Sequence, residues 1–114
     1  MEHDMKLRPS PFSMIRSGQK TIELRLYDEK RQLISVGDVI RFVNTKDETA
    51  VLVTEVKAVH IFKSFDELYQ KLPLLKCGYT KEDVDSALPG DMEKYYSKEE
   101  QSRYGVVGIE IKLL

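Results

Sequence analysis

A run of alternating apolar and charged residues near the N-terminus constrains the fold of this chain more than any other feature. Every second residue from Ile22 to Leu26 is apolar, and the residues between them include Glu23 and Arg25. Side chains on a β-strand point alternately to opposite faces, so this alternation predicts a strand with one buried face and one charged face. Gly18, just before the run, can relieve crowding where the chain enters the strand.

The charged face of this strand is a candidate binding surface. Glu23 and Arg25 are two residues apart, so their side chains project side by side at a separation of about 7 Å. Lys20 stands at the start of the strand, and Thr21 follows it. Ionisable groups this close together can recognise a small polar ligand through directed hydrogen bonds. The alternative is a solvated strand face whose ion pairs contribute little to stability.

Length and composition bound the class of protein. The 114 residues suffice for one core, so we expect a single domain over residues 1–114. Hydrophobic residues make up 41% and charged residues 32%, which indicates a folded, soluble chain. No apolar run approaches the roughly 18 residues of a membrane span, and the N-terminus lacks a signal-peptide pattern. The single cysteine, Cys77, excludes an internal disulfide and fits a reducing cytoplasm.

Charge is distributed unevenly along the chain. The net charge of −1 argues against strong, nonspecific binding of nucleic acid. Residues 1–46 contain nine Lys and Arg against six Asp and Glu, whereas residues 80–103 contain four against seven. A basic surface opposite an acidic one could orient an anionic ligand, and the alternative is a mixed, solvated surface.

The remaining patterns predict strands towards both ends of the chain and short helices between them. The predicted strands are Met5–Leu7, Lys20–Leu26, Val39–Val43, Ala50–Phe62 and Val106–Leu113. A change in the alternation of the longest strand predicts a bulge near Thr54 and Glu55. Ser10 and Ser64 are predicted helix N-caps. The predicted helices are Ser10–Ser17, Phe65–Leu72, Thr80–Leu88, Asp91–Tyr96 and Ser97–Arg103. This order fits an α+β fold, a small mixed barrel with helices on one side.

Metal and cofactor chemistry find no support in the sequence. His3, His60 and Cys77 lack the spacing of metal ligands, and the six glycines form no phosphate-binding loop. No neighbouring base activates Cys77, so we expect a buried thiol rather than a nucleophile. We therefore predict no metal and no cofactor.

Several segments together resemble one family. The pattern Gly18-x-Lys20-x-x-Glu23-x-Arg25 is similar to the signature of the ASCH family, relatives of the PUA domains. Three further segments also resemble it: Leu7-Arg8-Pro9-Ser10-Pro11-Phe12-x-x-Ile15, Gly37-Asp38 and Tyr104-Gly105-Val106-Val107-Gly108-Ile109-Glu110. The resemblance runs from about the fifth residue to the C-terminus. It implies a small PUA-like mixed β-barrel with a cleft beside the signature strand.

The resemblance implies binding of RNA or of a nucleotide-like small molecule in that cleft. Arg25 would contact a phosphate or a base edge, Glu23 would accept from a base amino group, and Lys20 and Thr21 would complete the strand's contribution. Because a partly buried charge needs a partner, we expect Glu23 and Arg25 to pair with each other or with Lys20. Of the tyrosines near the last strand, Tyr96 is the candidate for stacking on a base, since a tyrosine pair at this place recurs in the family.

Two alternatives stay open. Some bacterial members of the family are small amidohydrolases that remove the acetyl group from acetylated cytidine, using a Lys, a Thr and a more distant Glu. The lysine matches Lys20, but the threonine position falls on Glu23 and the acidic position lies near Cys77. This departure argues against acyl-enzyme chemistry and leaves Glu23 as a general base for water, with Lys20 or Arg25 stabilising an oxyanion. The other alternative is a protein-interaction domain, and the oligomeric state is not specified by the sequence.

Overall fold

A curled, mixed sheet of five strands forms the body of the protein. The computed structural model describes residues 1–114. The strands are β1 (Glu2–Leu7), β2 (Ile22–Leu26), β3 (Val39–Asn44), β4 (Asp47–Phe62) and β5 (Val106–Leu113). They lie in the order β1-β3-β4-β5-β2, with β1 parallel to β3 and every other neighbouring pair antiparallel. The predicted α+β fold with a curved sheet is confirmed.

Three α-helices and four single-turn or two-turn 3₁₀ segments complete the fold. The helices are α1 (Pro9–Ser17), α2 (Phe65–Lys71) and α3 (Lys98–Tyr104). The 3₁₀ segments are Arg31–Leu33, Leu74–Lys76, Val84–Ser86 and Pro89–Lys94. Ser64 and Ser97 cap α2 and α3 by accepting the backbone N–H of Glu67 and Glu100. No helix is long and apolar enough to cross a membrane.

Apolar clusters cover both faces of the sheet. The inner cluster joins Phe12 and Ile15 of α1 to residues of β1, β3, β4 and β5. The outer cluster joins α2 to the apolar residues of β2, together with Cys77 and Val106. In the β2–β5 register, Glu23 lies opposite Ile109 and Arg25 opposite Val107, both inner-cluster residues. The charged face of β2 therefore shares its side of the sheet with the larger core.

The sheet does not close into a full barrel. Strands β1 and β2 are its two edges, since each pairs with only one neighbour. A side chain spans the opening between them: Nη2 of Arg25 on β2 donates to the backbone carbonyl of Lys6 on β1 at 2.9 Å. The strand that carries the signature residues is thus also the strand at which the sheet opens.

Two helix predictions need correction. Ser10 is not the N-cap of α1, because the helix begins at Pro9, which suits the first helical position since it has no N–H to satisfy. The helix predicted over Thr80–Leu88 is wrong, and the segment contains only the 3₁₀ turn Val84–Ser86. The Asp83 carboxylate accepts from both the backbone N–H and the hydroxyl of Thr80, and the same pair of bonds from Ser97 to Glu100 begins α3. The chain nevertheless becomes extended at Ala87 and Leu88, as the residue before Pro89 favours.

The predicted bulge and one further helix are displaced or altered. Val56 lies opposite Ile111 and Ala58 opposite Glu110, so the extra residue of β4 is Lys57 rather than Thr54 or Glu55. Thr54 instead is fully buried, and its hydroxyl donates to the carbonyl of Ile40. The helix predicted over Asp91–Tyr96 is the 3₁₀ helix Pro89–Lys94.

Candidate functional site

The open edge of β2 forms one wall of a large cleft. The cleft has a volume of about 1010 Å³. The charged residues of β2 and the start of α1 lie on one side, and the segment between α2 and α3 lies on the other. Its charged and aromatic lining residues are Lys6, Arg8, Lys20, Glu23, Arg25, Tyr69, Tyr79, Asp83, Asp91, Lys94, Tyr95 and Tyr96. Five of these are basic and three acidic, which gives the lining a net charge of +2.

Lys20, Glu23 and Arg25 form a buried ionic cluster in this cleft. Nζ of Lys20 lies 2.7 Å from Oε1 of Glu23, and Nε of Arg25 lies 2.6 Å from Oε2. The side chains of Glu23, Lys20 and Arg25 are 4%, 10% and 14% exposed. The sequence predicted this pairing, and the structure places the three groups deeper than a partly solvated strand face.

Burial and pairing act in opposite directions on the pKa values of Glu23 and Arg25. Burial would raise the pKa of Glu23, but the charges of Lys20 and Arg25 and their hydrogen bonds outweigh it and lower the pKa. Burial would lower the pKa of Arg25, but the charge of Glu23 and its hydrogen bond raise it. Glu23 is therefore ionised and Arg25 protonated at neutral pH.

Hydrogen-bond capacity in the cluster is unequal. Each oxygen of Glu23 already accepts from a cation, and the side chain is only 4% exposed, so little of this carboxylate is available to a ligand. Arg25 uses Nε for Glu23 and one N–H of Nη2 for Lys6, which leaves three of the five guanidinium N–H groups. Lys20 uses one ammonium N–H for Glu23, which leaves two. The cluster thus presents donors to the cleft and has little capacity to accept.

The backbone around Gly78 supports Lys20. A Cβ added to Gly78 would lie 3.4 Å from Cδ and 3.6 Å from Nζ of Lys20, so the lysine side chain lies directly on this backbone. Gly78 has φ +110°, which favours glycine. The neighbouring Cys77 is buried, and burial raises the pKa of its thiol to about 11. A thiol of that pKa stays protonated at neutral pH and is a poor nucleophile.

The opposite wall is held together by tyrosines that are not among the predicted site residues. Tyr69 of α2 and Tyr79 have their hydroxyl oxygens 2.6 Å apart, and Tyr79 donates to Oδ2 of Asp91 at 2.8 Å. Asp91 also accepts the backbone N–H of Leu88, and this bond and the one from Tyr79 lower its pKa. Residues from three separate segments meet here. No local sequence pattern predicts such a network.

Two neighbouring tyrosines have different environments. Tyr96 packs its ring on Phe65, with centroids 6.1 Å apart and a stacked geometry, and burial raises its pKa. Tyr95 is exposed at the rim, where the Arg8 guanidinium lies 5.0 Å from its ring centroid and Nζ of Lys94 lies 5.3 Å from it. The Arg8 guanidinium also donates to the Tyr95 hydroxyl. Tyr95 is therefore the more accessible of the two rings.

The predicted site residues converge with one exception. Lys20, Glu23, Arg25 and Tyr96 all line the cleft. Thr21 does not line it, and its backbone is used in the fold, since its N–H donates to the Lys76 carbonyl and its carbonyl accepts from Ile111. Arg8, Tyr79 and Tyr95 line the cleft and were not among the predicted site residues. The sequence signal for Arg8 was its place in the segment before α1.

Comparison with known proteins identifies a matching family and similar structures. The sequence model described as the ASCH domain matches residues 5–114. The crystal structure of the hypothetical protein PH0355 is 32% identical, with a TM-score of 0.79 and 100% of both chains covered. The solution structure of protein PF0455 from Pyrococcus furiosus is 36% identical, with a TM-score of 0.74, and covers 100% of this chain and 98% of that one.

A more distant structure shares the fold. The crystal structure of ASCH from Zymomonas mobilis is 16% identical, with a TM-score of 0.67 over 97% of this chain and 66% of that chain. At that identity the likeness concerns the fold alone. Among curated proteins, none matches this chain.

Proposed function

The chain belongs to the ASCH domain family, and from that membership and the geometry of the cleft we propose that it binds RNA or a nucleotide-like ligand against Lys20 and Arg25. The observation that carries this proposal is the buried cluster itself. A single carboxylate, Glu23, holds two cations whose remaining N–H donors face a cleft with a net charge of +2. Such an arrangement is preorganised for an anionic, acceptor-rich ligand.

Each residue of the cluster has a distinct role in this proposal. Arg25 offers a planar set of donors that can bind two oxygens of a phosphate at once. Lys20 adds a second positive charge from the other side of Glu23. Glu23 is a positioning residue rather than an acceptor for a base amino group, because its carboxylate is 4% exposed and each oxygen already binds a cation.

The tyrosines supply a surface for the rest of the ligand. A base stacked on an aromatic side chain contributes about 1–3 kcal/mol. Tyr95 is exposed at the rim and lies beside two cations, whereas Tyr96 is packed on Phe65. We therefore assign the stacking role to Tyr95 and a supporting role to Tyr96, which differs from the expectation that Tyr96 stacks.

The amidohydrolase alternative has weaker support. A general base must be free to take a proton, and the pKa of Glu23 is lowered with both oxygens engaged. The thiol of Cys77 is protonated and buried, and Thr21 does not line the cleft. Release of acetate from acetylated cytidine by the purified protein, lost in Lys20→Met, would overturn this preference for binding over catalysis.

Fluorescence anisotropy with a labelled single-stranded RNA tests the binding proposal. Arg25→Lys keeps the charge and removes the planar fork, so it should weaken binding by about tenfold or more. Arg41→Lys is the matched control, because Arg41 lies on β3 outside the cleft and its contact with Glu2 is long, at 3.9 Å. Equal affinity of Arg25→Lys and wild type would show that the cluster takes no part in RNA binding.

The salt dependence of the same affinity counts the phosphate contacts. With a net charge of −1 and few cations in the cleft, we expect about two to four contacts with a single strand. The logarithm of the association constant should then fall with the logarithm of salt at a slope of roughly −1.5 to −3. A much steeper slope would place binding on a wider basic surface than this cleft.

A further inference from the structure

This inference rests on the proposed function. We propose that Lys20 and Arg25, which form the floor of the cleft, recognise a terminal phosphate group rather than an internal phosphodiester. The terminal phosphate has two sources, a free mononucleotide and the phosphorylated end of an RNA strand. The shared chemistry is a phosphomonoester, which has three unesterified oxygens, whereas an internal phosphodiester has two.

Donor count favours the phosphomonoester. The floor offers three N–H groups from Arg25 and two from Lys20, on adjacent sides of Glu23. The one acceptor in the cluster, the Glu23 carboxylate, is 4% exposed and binds a cation at each oxygen, so it offers little to a base edge with its own N–H donors. A group that only accepts, and has several oxygens close together, matches this set.

Depth favours a group at the end of a chain. Only 10% of the Lys20 side chain and 14% of the Arg25 side chain are exposed. Behind them the gap between the two edge strands is spanned by the bond from Arg25 to the Lys6 carbonyl. A nucleic-acid strand that continued in both directions would need an exit at this point. A terminal phosphate needs none, because it enters as the leading group.

Charge favours the same ligand. A phosphomonoester carries about −1.5 to −2 charges at pH 7, because its second pKa is about 6. An internal phosphodiester carries a single charge. The cleft lining has a net charge of +2, which complements the doubly ionised group more closely.

Three forms of one short RNA test this inference by competition anisotropy: with a 5′-phosphate, with a 3′-phosphate, and with hydroxyls at both ends. At least one phosphorylated form should bind about tenfold more tightly than the hydroxyl form. Arg25→Lys should reduce that preference. Lys94→Gln, at the rim, should weaken all three forms by a similar factor, because its charge acts on the whole strand.

A second set of competitors distinguishes the sources. If cytidine 5′-monophosphate displaces the labelled RNA and cytidine does not, the site binds the phosphate of a free nucleotide. If the mononucleotide does not displace the RNA and the phosphorylated RNA is still preferred, the site binds the phosphorylated end of an RNA strand. Raising the pH from about 5 to about 7 should strengthen binding of the phosphorylated forms alone, as the second proton leaves.

The failures of the two proposals are distinguishable. If all three RNA forms bind equally and Arg25→Lys weakens them equally, the terminal-phosphate inference is wrong while RNA binding stands. If neither RNA nor mononucleotide binds, the proposed function itself is overturned, and the inference with it.

Discussion

Two glutamates on neighbouring strands show how burial changes what a short polar contact can do. Glu23 on β2 is 4% exposed and lies between Lys20 and Arg25 at 2.7 and 2.6 Å. Glu110 on β5, opposite Ile22 in the register, is 42% exposed and lies 2.5 Å from Nε2 of His60. The distances are similar. Water screens the second pair and can replace either partner, whereas the first cluster has lost most of its water and must satisfy its charges internally.

The comparison explains why only one of these pairs forms a candidate site. The groups around Glu23 cannot relax into solvent, so their geometry is fixed before a ligand arrives, and spare donors face the cleft. The groups around Glu110 gain little from each other and do not line the cleft. The contact distances alone do not distinguish the Glu23 cluster from the Glu110–His60 pair.

The largest effect should come from breaking the buried cluster. Glu23→Gln removes the charge that holds two buried cations, so the free energy of unfolding should fall by about 3–5 kcal/mol. Urea denaturation monitored by circular dichroism measures this difference. A loss below about 1 kcal/mol would mean that the cluster behaves like a surface pair.

A smaller effect should follow from changing the support of Lys20 rather than its partner. Gly78→Ala places a Cβ against the Lys20 side chain at a residue with φ +110°, so we expect a loss of about 1–3 kcal/mol. The added Cβ would lie at ordinary van der Waals distance from Lys20, so backbone strain accounts for the loss and RNA affinity should stay close to that of wild type. Gly37→Ala, at φ +93° with nothing nearby, is the matched control for backbone strain and should lose a similar amount. A much larger loss for Gly78→Ala, together with weaker RNA binding, would show that the Cβ displaces Lys20.

A third carboxylate, Asp38, should make the stability of the fold depend on pH, with an effect of intermediate size. A hydrogen bond with His3, followed by the Ser35 N–H and the N-terminal ammonium, lowers its pKa from 3.8 to about 2. Its pKa is lower in the folded state, so its contribution to stability is present above pH 3.8 and is lost as the pH falls through about 2. Acid denaturation of Asp38→Asn should show a weaker pH dependence than wild type in this window. Identical profiles would contradict the assignment.

The smallest effect should be at the exposed pair. Glu110→Gln should change the free energy of unfolding by no more than about 1 kcal/mol, because its hydrogen bond with His60 is exposed to water. The same urea titrations measure it. A loss comparable to that of Glu23→Gln would end the contrast between the two glutamates.

Local patterns predicted most of the sheet. The alternation around Glu23 and Arg25 gave the strand and its charged face, and the pairing among the three ionic residues followed from the cost of an unpaired charge. Depth was not predictable, because it depends on β5, which is more than seventy positions away and places Ile109 beside Glu23. Sequence alternation reports which face a residue occupies and says little about what covers that face.

The helical wall of the cleft was the least predictable part. The helix expected over Thr80–Leu88 is only the 3₁₀ turn Val84–Ser86, although the bonds from Thr80 to Asp83 have the same pattern as those that begin α3. The contact between Tyr69, Tyr79 and Asp91 joins residues with no shared period or motif. Such a network exists only once the three segments are packed.

The most direct test of the central claim is an NMR titration of the Arg25 Nε–H resonance with the phosphorylated RNA. We expect a saturable shift of this resonance, with the dissociation constant found by anisotropy, while the backbone amide resonances of His60 and Glu110 do not shift. Saturable binding with the Arg25 resonance unmoved, and shifts confined to another surface, would contradict it.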